Sequence, residues 1–322
     1  MAFVLFAAGG RLAGSDLYAR RLAATLGAKV VAIAVSASGA DEAATASAQA
    51  GWEALDGDAR PLISGMVLAA FRPIAERLSL RRTTVLMDEP RASAKEMLAS
   101  VPLIVASSEA AAEVIAAGAA LPRERVSVVE PPTPALPRAA GSGGEGAVIV
   151  TQDEPAMEEA QAVLFKALAG LFDLDWRLFI VGPAAADPAN VAALASCAEQ
   201  FGLAGRINCE VRAHGSDDLA LWRRSDLFAS GVARHGYALA TAAAMKRGLP
   251  VAIAGDAKSA PSIASEAGAV APPGDHAQLA KALRRMIFDR ELRALMAEAA
   301  WRAGQNLPND SDVRERLSAA LG

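Results

Sequence analysis

Short apolar runs that end at glycine recur along the chain and alternate with stretches of helical periodicity. The first run, Phe3 to Ala7, is followed by Gly9 and Gly10, a pattern typical of a strand buried on both faces of a sheet. Leucines at helical spacing follow between residues 17 and 26, and a second apolar run covers residues 29–35. This succession predicts a βαβ unit, so the chain should build a parallel sheet.

The same alternation continues along most of the chain. Further strands are predicted at 83–87, 101–106, 126–129, 147–150, 176–181, 207–211, 226–229, 251–254 and 269–271. Helices are predicted at 63–78, 108–117, 158–171, 188–200, 217–222, 237–247 and 278–288. The segments 290–303 and 312–321 are predicted helices with one polar side, and either could pack against either half of the chain. The fold class is therefore α/β.

The chain length favours two domains, because 322 residues exceed the roughly 100 to 200 of an average domain. Residues 131–146 read PPTPALPRAAGSGGEG, with four prolines and four glycines, a composition typical of an exposed connection. We predict an N-terminal Rossmann-like domain over 1–135, a linker over 136–146 and a C-terminal Rossmann-like domain over 147–322. One larger sheet with an exposed loop is the alternative.

Composition excludes several classes of protein. Apolar residues make up 53% and charged residues 21% of the chain, which excludes a disordered protein. The net charge of -4 provides no basic field for nucleic acid. Two isolated cysteines, Cys197 and Cys209, suit a reducing compartment. No apolar run approaches the 18 residues of a membrane span. We expect a cytoplasmic location.

Ligands of open α/β sheets bind outside the carboxyl ends of the strands, so four loops are candidate sites. They cover residues 8–15, 151–155, 182–186 and 230–237. In the first loop, Gly14 permits close backbone approach, and Ser15 or Asp16 can cap the helix whose amides would face a phosphate or sugar oxygen. A glycine-rich turn after a first strand is equally a structural requirement of many α/β folds, and both interpretations stay open.

The last loop carries Arg234, His235, Gly236 and Tyr237 at the start of an alanine-rich helix, a place that favours anions. His235 next to a cation and a helix N-terminus should be a neutral imidazole, although a surface or capping role is as compatible with the sequence. No histidine, cysteine or carboxylate pair has metal-ligand spacing, which predicts that no metal is bound. Neither a G-x-S-x-G elbow nor a P-loop is present, which argues against α/β-hydrolases and P-loop ATPases.

Three segments of the C-terminal half carry a family resemblance: DLFASG from Asp226, HGYALATAAAMKRGLPVAIAG from His235 and GAVAPPGDHAQLAKAL from Gly268. They resemble retaining glycosyltransferases of the family 4 (group 1) type, which have the GT-B fold. The resemblance implies two Rossmann-like domains that face an interdomain cleft. It also implies a nucleotide-sugar substrate, held mostly by the C-terminal domain, an acceptor on the N-terminal domain, and no further cofactor.

The chain departs from this family at charged positions. The two glutamates of the family's E-x7-E motif fall on His235 and Ala243, and a family glycine falls on Ala238. The family's diphosphate-binding cations fall within 151–159, where this chain has four acidic residues. The family histidine near the reacting sugar falls close to Met87, beside Asp88. Charge-assisted hydrogen bonds to the diphosphate are thereby lost.

The sequence therefore predicts a diverged glycosyltransferase that stabilises the diphosphate with main-chain amides and Arg234. Candidate catalytic residues are His235 and Asp88. Candidate donor-binding residues are Gly14, Ser15, Arg234, Gly236, Tyr237 and Ala238. Two alternatives remain: a noncatalytic homologue that acts as a binding or scaffolding subunit, and an enzyme whose ligand lacks a diphosphate. A protein partner or self-association is compatible with either.

Overall fold

A computed structural model of the chain describes residues 2–9, 16–35, 41–75, 82–88, 95–144, 146–152, 158–181, 188–209, 216–231, 236–256 and 261–322. Statements about the fold concern these residues. Of the predicted site residues, Gly14, Ser15, Arg234 and His235 lie outside them, as does most of the acidic 151–159 loop.

Twelve strands in the described ranges form two six-stranded sheets in which every pair is parallel. The strands are β1 (Phe3–Ala8), β2 (Lys29–Ile33), β3 (Arg60–Ser64), β4 (Thr84–Met87), β5 (Leu103–Ala106), β6 (Val126–Val128), β7 (Ala147–Gln152), β8 (Trp176–Val181), β9 (Ile207–Cys209), β10 (Leu227–Ser230), β11 (Val251–Ala254) and β12 (Gly268–Ala271). The sheet orders are β2-β1-β3-β4-β5-β6 and β12-β11-β10-β7-β8-β9. The predicted α/β class with two parallel sheets is confirmed, and the single larger sheet is wrong.

The α-helices of the described ranges are α1 (Leu17–Thr25), α2 (Glu42–Glu53), α3 (Lys95–Leu98), α4 (Glu109–Ala119), α5 (Glu158–Ala169), α6 (Pro188–Gln200), α7 (Ser216–Arg224), α8 (Leu239–Lys246), α9 (His276–Phe288), α10 (Arg290–Gln305) and α11 (Asp310–Leu321). Among them, α1 to α8 lie between the strands and α9 to α11 follow the last one. None of these helices has the length and apolar character that a membrane-spanning helix requires.

The predicted helix at 63–78 is wrong. Its first residues belong to β3, which pairs with β1 and β4, and of residues 63–75, the part of this segment that the structure describes, only Leu68–Ile74 form a helical segment, of the 3-10 type. The continuous apolar run over Leu62 and Ile63 suits a doubly buried strand as well as a helix, and pairing within the sheet decides between them. The alanine-rich α2 was missed because it has almost no large apolar residue to reveal its period.

Each sheet has apolar cores on both faces. In the second sheet the Trp176 ring is buried, and its Nε1 donates to the carbonyl of Leu171 at 2.8 Å. The last helix, α11, contributes Val313 and Leu317 to a core around Leu5 on the first sheet. Of the two packings that the sequence allowed for this segment, the one against the N-terminal half is therefore present.

The connection between the sheets is hydrogen-bonded at Thr133 and again from Ala139, and it is exposed over most of the residues between them. Pro131, Pro132 and Thr133 are buried, and the Thr133 amide donates to Pro308 O at 2.9 Å. The Ala139 amide donates to Arg247 O at 2.8 Å. The expectation of an exposed connection therefore fails for its first three residues, because they pack between the two halves of the chain.

Candidate functional site

The strand order places one crevice on each sheet. In the first sheet β2 and β3 lie on opposite sides of β1, so the strand order reverses between β1 and β3. In the second sheet the strand order reverses between β7 and β10. Ligands of open α/β sheets bind at such switch points, outside the carboxyl ends of the strands. At this carboxyl edge, residues that follow β4 and β5 in the first half of the chain contact residues that follow β10 in the second half.

Asp88 and Ser107 of the first half bind the main chain of Tyr237 in the second half. The Tyr237 amide donates to Asp88 Oδ1 at 3.0 Å and to Ser107 Oγ at 3.1 Å. Asp88 directly follows β4 and Ser107 directly follows β5, so the sheet itself fixes both acceptors. A hydrogen bond to a carboxylate contributes about 1.5–3 kcal/mol. The hydrogen bond from Tyr237 to Asp88 therefore stabilises the contact between the two halves at the predicted site.

Gly236 allows this contact because it has no side chain. A Cβ on Gly236 would lie 2.7 Å from Asp88 Cγ and 2.8 Å from Asp88 O, well inside van der Waals distance. Any larger residue at 236 would push the Tyr237 amide away from Asp88. The family resemblance places this glycine at the donor phosphate, whereas in the structure the space beside it holds a carboxylate of the same chain.

The Tyr237 side chain lies between the two halves. It is buried, and its hydroxyl pairs with Thr133 Oγ1 at 3.3 Å. Burial raises the pKa of Tyr237, and the neighbouring Glu130 carboxylate adds to the rise, while the Thr133 hydrogen bond and Arg21 oppose it. The Tyr18 hydroxyl similarly donates to Val129 O at 3.1 Å. Burial raises the pKa of Tyr18, and the negative charge of Asp88 raises it further. Both phenols therefore stay neutral at physiological pH.

The crevice beside β1 is also occupied by a carboxylate. Asp16 is buried, accepts from the Ala8 amide at 2.5 Å and accepts from the hydroxyl of Ser64, the last residue of β3. Asp16 stands at the N-cap position of α1, one of the two positions predicted for the cap, but its side chain makes no hydrogen bond that caps the helix. It joins β1 to β3 instead. Arg20, one turn along α1, donates from Nη2 to Ala8 O at 2.6 Å.

Arg21 and Glu130 supply opposite charges near the Tyr237 hydroxyl. Arg21 donates from Nη1 to Pro132 O at 3.2 Å, and burial lowers its pKa, while Tyr237 and Asp310 raise it. Burial raises the pKa of Glu130, and Arg316 partly opposes this. A half-buried carboxylate held in this way is destabilised by desolvation.

Glu130→Gln is expected to raise the thermal unfolding midpoint modestly at pH 7.5 and to have no such effect near pH 4. A carboxyl whose folded pKa lies above its ordinary 4.5 favours folding while protonated, and this contribution is lost as the pH rises through the raised pKa. Glutamine keeps the neutral form at every pH. Calorimetry of both proteins across this range measures the difference, with the exposed Glu113→Gln as control. An equal effect at both pH values would contradict the assignment.

The structure brings three predicted site residues together and places a fourth beside them. Asp88, Gly236 and Tyr237 are in contact, and Ala238 immediately precedes α8. Sequence reasoning missed Arg21 and Thr133, which reach the site from α1 and from the connection, and it gave Ser107 no role. Ser107 could have been predicted as a site residue, because it directly follows a predicted strand and such residues lie at the carboxyl edge of the sheet. Among the residues described, no three His, Cys, Asp or Glu side chains converge on a metal-sized site.

Comparison with known proteins finds a family match within the second half of the chain. Residues 146–289 match the family model "Glycosyl transferases group 1", which confirms the predicted resemblance to group 1 glycosyltransferases for this segment. None of the curated protein sequences compared with the chain matches it.

Solved structures of glycosyltransferases share the whole fold. HepE from Anabaena, solved in complex with UDP and glucose, superposes with a TM-score of 0.74 at 16% identity, covering 100% of this chain and 99% of HepE. Sucrose-phosphate synthase from Thermosynechococcus elongatus gives 0.78 at 12% identity, over 99% and 98% of the two chains. The galactosyltransferase WaaB gives 0.67 at 13% identity, over 100% and 99%. The predicted GT-B fold is therefore confirmed.

Proposed function

We propose that this protein transfers a sugar from a nucleotide-sugar donor to an acceptor. The observation that carries the proposal is the meeting of Asp88 with Gly236 and Tyr237 at the carboxyl edges of both sheets, in a chain whose residues 146–289 match group 1 glycosyltransferases. The fold adds support, since HepE, which shares it, was solved with UDP and with UDP-glucose.

In this proposal the donor diphosphate binds the amides of Gly236 and Tyr237, which lie just before the N-terminus of α8. Amides at a helix N-terminus favour anions, and Arg234, with Gly14 and Ser15 from the first loop, supplies further contacts. In the structure the Asp88 carboxylate accepts the hydrogen bond of the Tyr237 amide. The two halves must therefore separate slightly before a diphosphate can bind this amide. We therefore interpret the structure as a closed arrangement of the two halves.

The chemistry proposed is electrostatic. Main-chain amides and Arg234 stabilise the charge that develops on the departing diphosphate, as preorganised donors do in other transferases. His235 orients the donor sugar in place of the motif glutamate. Asp88, released from Tyr237, lies next to the reacting sugar. In this proposal the chain itself supplies the positive charge that stabilises the departing diphosphate, so the reaction needs no metal ion.

Titration calorimetry with UDP, GDP and ADP, followed by assays of sugar-nucleotide hydrolysis, tests the proposal. Binding of at least one nucleoside diphosphate, with slow hydrolysis of a matching nucleotide-sugar, is the expected result. Arg234→Ala should weaken that binding, whereas Lys166→Ala, at an exposed position of α5 that has no role in the proposed site, should not. Absence of heat and of turnover across the whole panel would overturn the proposal.

A noncatalytic role is the second candidate, and the occupied Tyr237 amide favours it. A carboxylate of the chain already fills the place that the donor phosphate takes in this proposal, so the cleft of a binding or scaffolding subunit could stay closed. The same titrations separate the two candidates. A chain that binds no nucleotide even after Asp88 has been neutralised would favour the noncatalytic role.

A further inference from the structure

A groove with an apolar floor lies at the outer edge of the second sheet, and none of the residues of the Asp88–Tyr237 contact lines it. It has a volume of about 660 Å³ and lies between the edge strand β12, α9 and α10. Two helical stripes form its walls. They are Gln278, Lys281, Ala282, Arg285 and Met286 on α9, and Leu292, Leu295, Met296, Ala299 and Arg302 on α10. Pockets of roughly 300–1,000 Å³ hold small organic ligands.

The floor of the groove is apolar and adaptable. Met286 and Met296 are almost fully buried at its base, and the small residues of β12 leave the space above them open. Leu295 stands at the rim with 69% of its surface exposed. Methionine side chains accommodate apolar groups of irregular shape, so this floor suits a flexible hydrocarbon chain.

The rim of the groove carries an excess of positive charge. Lys281, Arg285 and Arg302 line it together with a single carboxylate, Glu266. Within the described part of the chain, no ion pair or hydrogen bond of these three cations is found, and their side chains are exposed. An anion bound here would gain charge-assisted hydrogen bonds without displacing an internal partner.

We propose that this groove binds a single-chain anionic amphiphile as a monomer. Its apolar chain lies over Met286 and Met296, and its phosphate, sulfate or carboxylate head lies among Lys281, Arg285 and Arg302. The class of ligand follows from the lining, since a hydrophilic anion would leave the floor unused and a neutral apolar molecule would leave the three cations unused.

The free edge of β12 argues against an added peptide strand as the occupant. Ala267 O and Ala271 O accept from Val251 and Gly255 on the β11 side, which leaves alternate residues facing the groove. There the Gly268 amide already donates to Ala264 O at 3.1 Å, and Pro272 has no amide hydrogen. Few main-chain groups therefore remain for a strand ladder.

Calorimetric titration with decyl phosphate, below its micelle concentration, tests the proposal. We expect decyl phosphate to bind at least tenfold more tightly than inorganic phosphate and than the neutral decyl maltoside. Arg285→Glu should weaken binding at least fivefold, and Leu295→Asp at least threefold. Lys166→Glu makes the same charge change on an exposed part of α5 outside the groove and should leave binding within twofold.

Four results would overturn the proposal. Equal affinity for inorganic phosphate would indicate a simple anion site, and equal affinity for decyl maltoside would indicate a site without charge selectivity. Binding to phosphatidylglycerol vesicles without binding of monomeric decyl phosphate would indicate a membrane-facing surface instead of a groove. Thermal melts of each variant verify that it is folded, and a fully competitive effect of UDP would place decyl phosphate in the interdomain site and not here.

Discussion

Replacing Gly304 with alanine is expected to lower the free energy of unfolding by about 3 kcal/mol. Gly304 lies in α10 where this helix crosses α8, and a Cβ there would lie 2.5 Å from Met245 C and 2.8 Å from Lys246 N. These are main-chain atoms in a helix, so they cannot turn away as a flexible side chain can. The two helices must move apart, which opens the core that they share with Trp222 and Leu249.

Gly118→Ala is the matched control, because it makes the same chemical change within another helix. No atom lies within 4 Å of a Cβ on Gly118, which is exposed in α4. Alanine favours a helix over glycine by about 1 kcal/mol, so this variant should be slightly more stable than the parent. Urea unfolding followed by far-UV circular dichroism measures both. Equal midpoints for the two variants would mean that α10 does not approach α8 as closely as the structure describes.

The fold could be predicted from sequence because parallel strands buried on both faces produce continuous apolar runs. Trp176–Val181 and Val251–Ala254 have the predicted bounds, since glycine or proline adjoins each run and punctuates it. The strand Arg60–Ser64 was missed although Gly65 follows it directly. It begins with a charged residue and a proline, and its apolar run, Leu62 and Ile63, is only two residues long. Only its place between β1 and β4 makes it a strand.

The candidate site could be predicted in part, for a similar reason. Strand ends identify the loop that carries Gly236 and Tyr237, whereas Asp88 was predicted only from the family resemblance, which places a family histidine close to Met87. The partners of these residues depend on how two domains pack, and no local pattern encodes that. Thr133, in a segment expected to be exposed, is buried against the Tyr237 hydroxyl. Arg21 reads as an ordinary helix residue until α1 and Pro132 are placed side by side.

Asp88→Asn is expected to strengthen the binding of a nucleoside diphosphate roughly tenfold. The Asp88 carboxylate holds the Tyr237 amide at 3.0 Å, and a ligand that needs this amide must first displace it. An asparagine of the same shape offers a neutral acceptor, whose hydrogen bond is weaker by about 1 kcal/mol. It also removes a negative charge next to the proposed diphosphate position. A change of about 1.4 kcal/mol corresponds to a tenfold change in affinity.

Turnover should change in the opposite direction from affinity. Asp88 is proposed to lie beside the reacting sugar, so Asp88→Asn should lower the rate of sugar-nucleotide hydrolysis while UDP binds more tightly. Ser107→Ala is the control, because it removes the neutral acceptor at 3.1 Å from the same amide and keeps the charge, and it should change UDP affinity less than threefold. Calorimetry with UDP gives the affinities. Unchanged or weaker binding by Asp88→Asn would mean that the diphosphate does not compete for the Tyr237 amide, and the donor would then have to be sought elsewhere in the cleft.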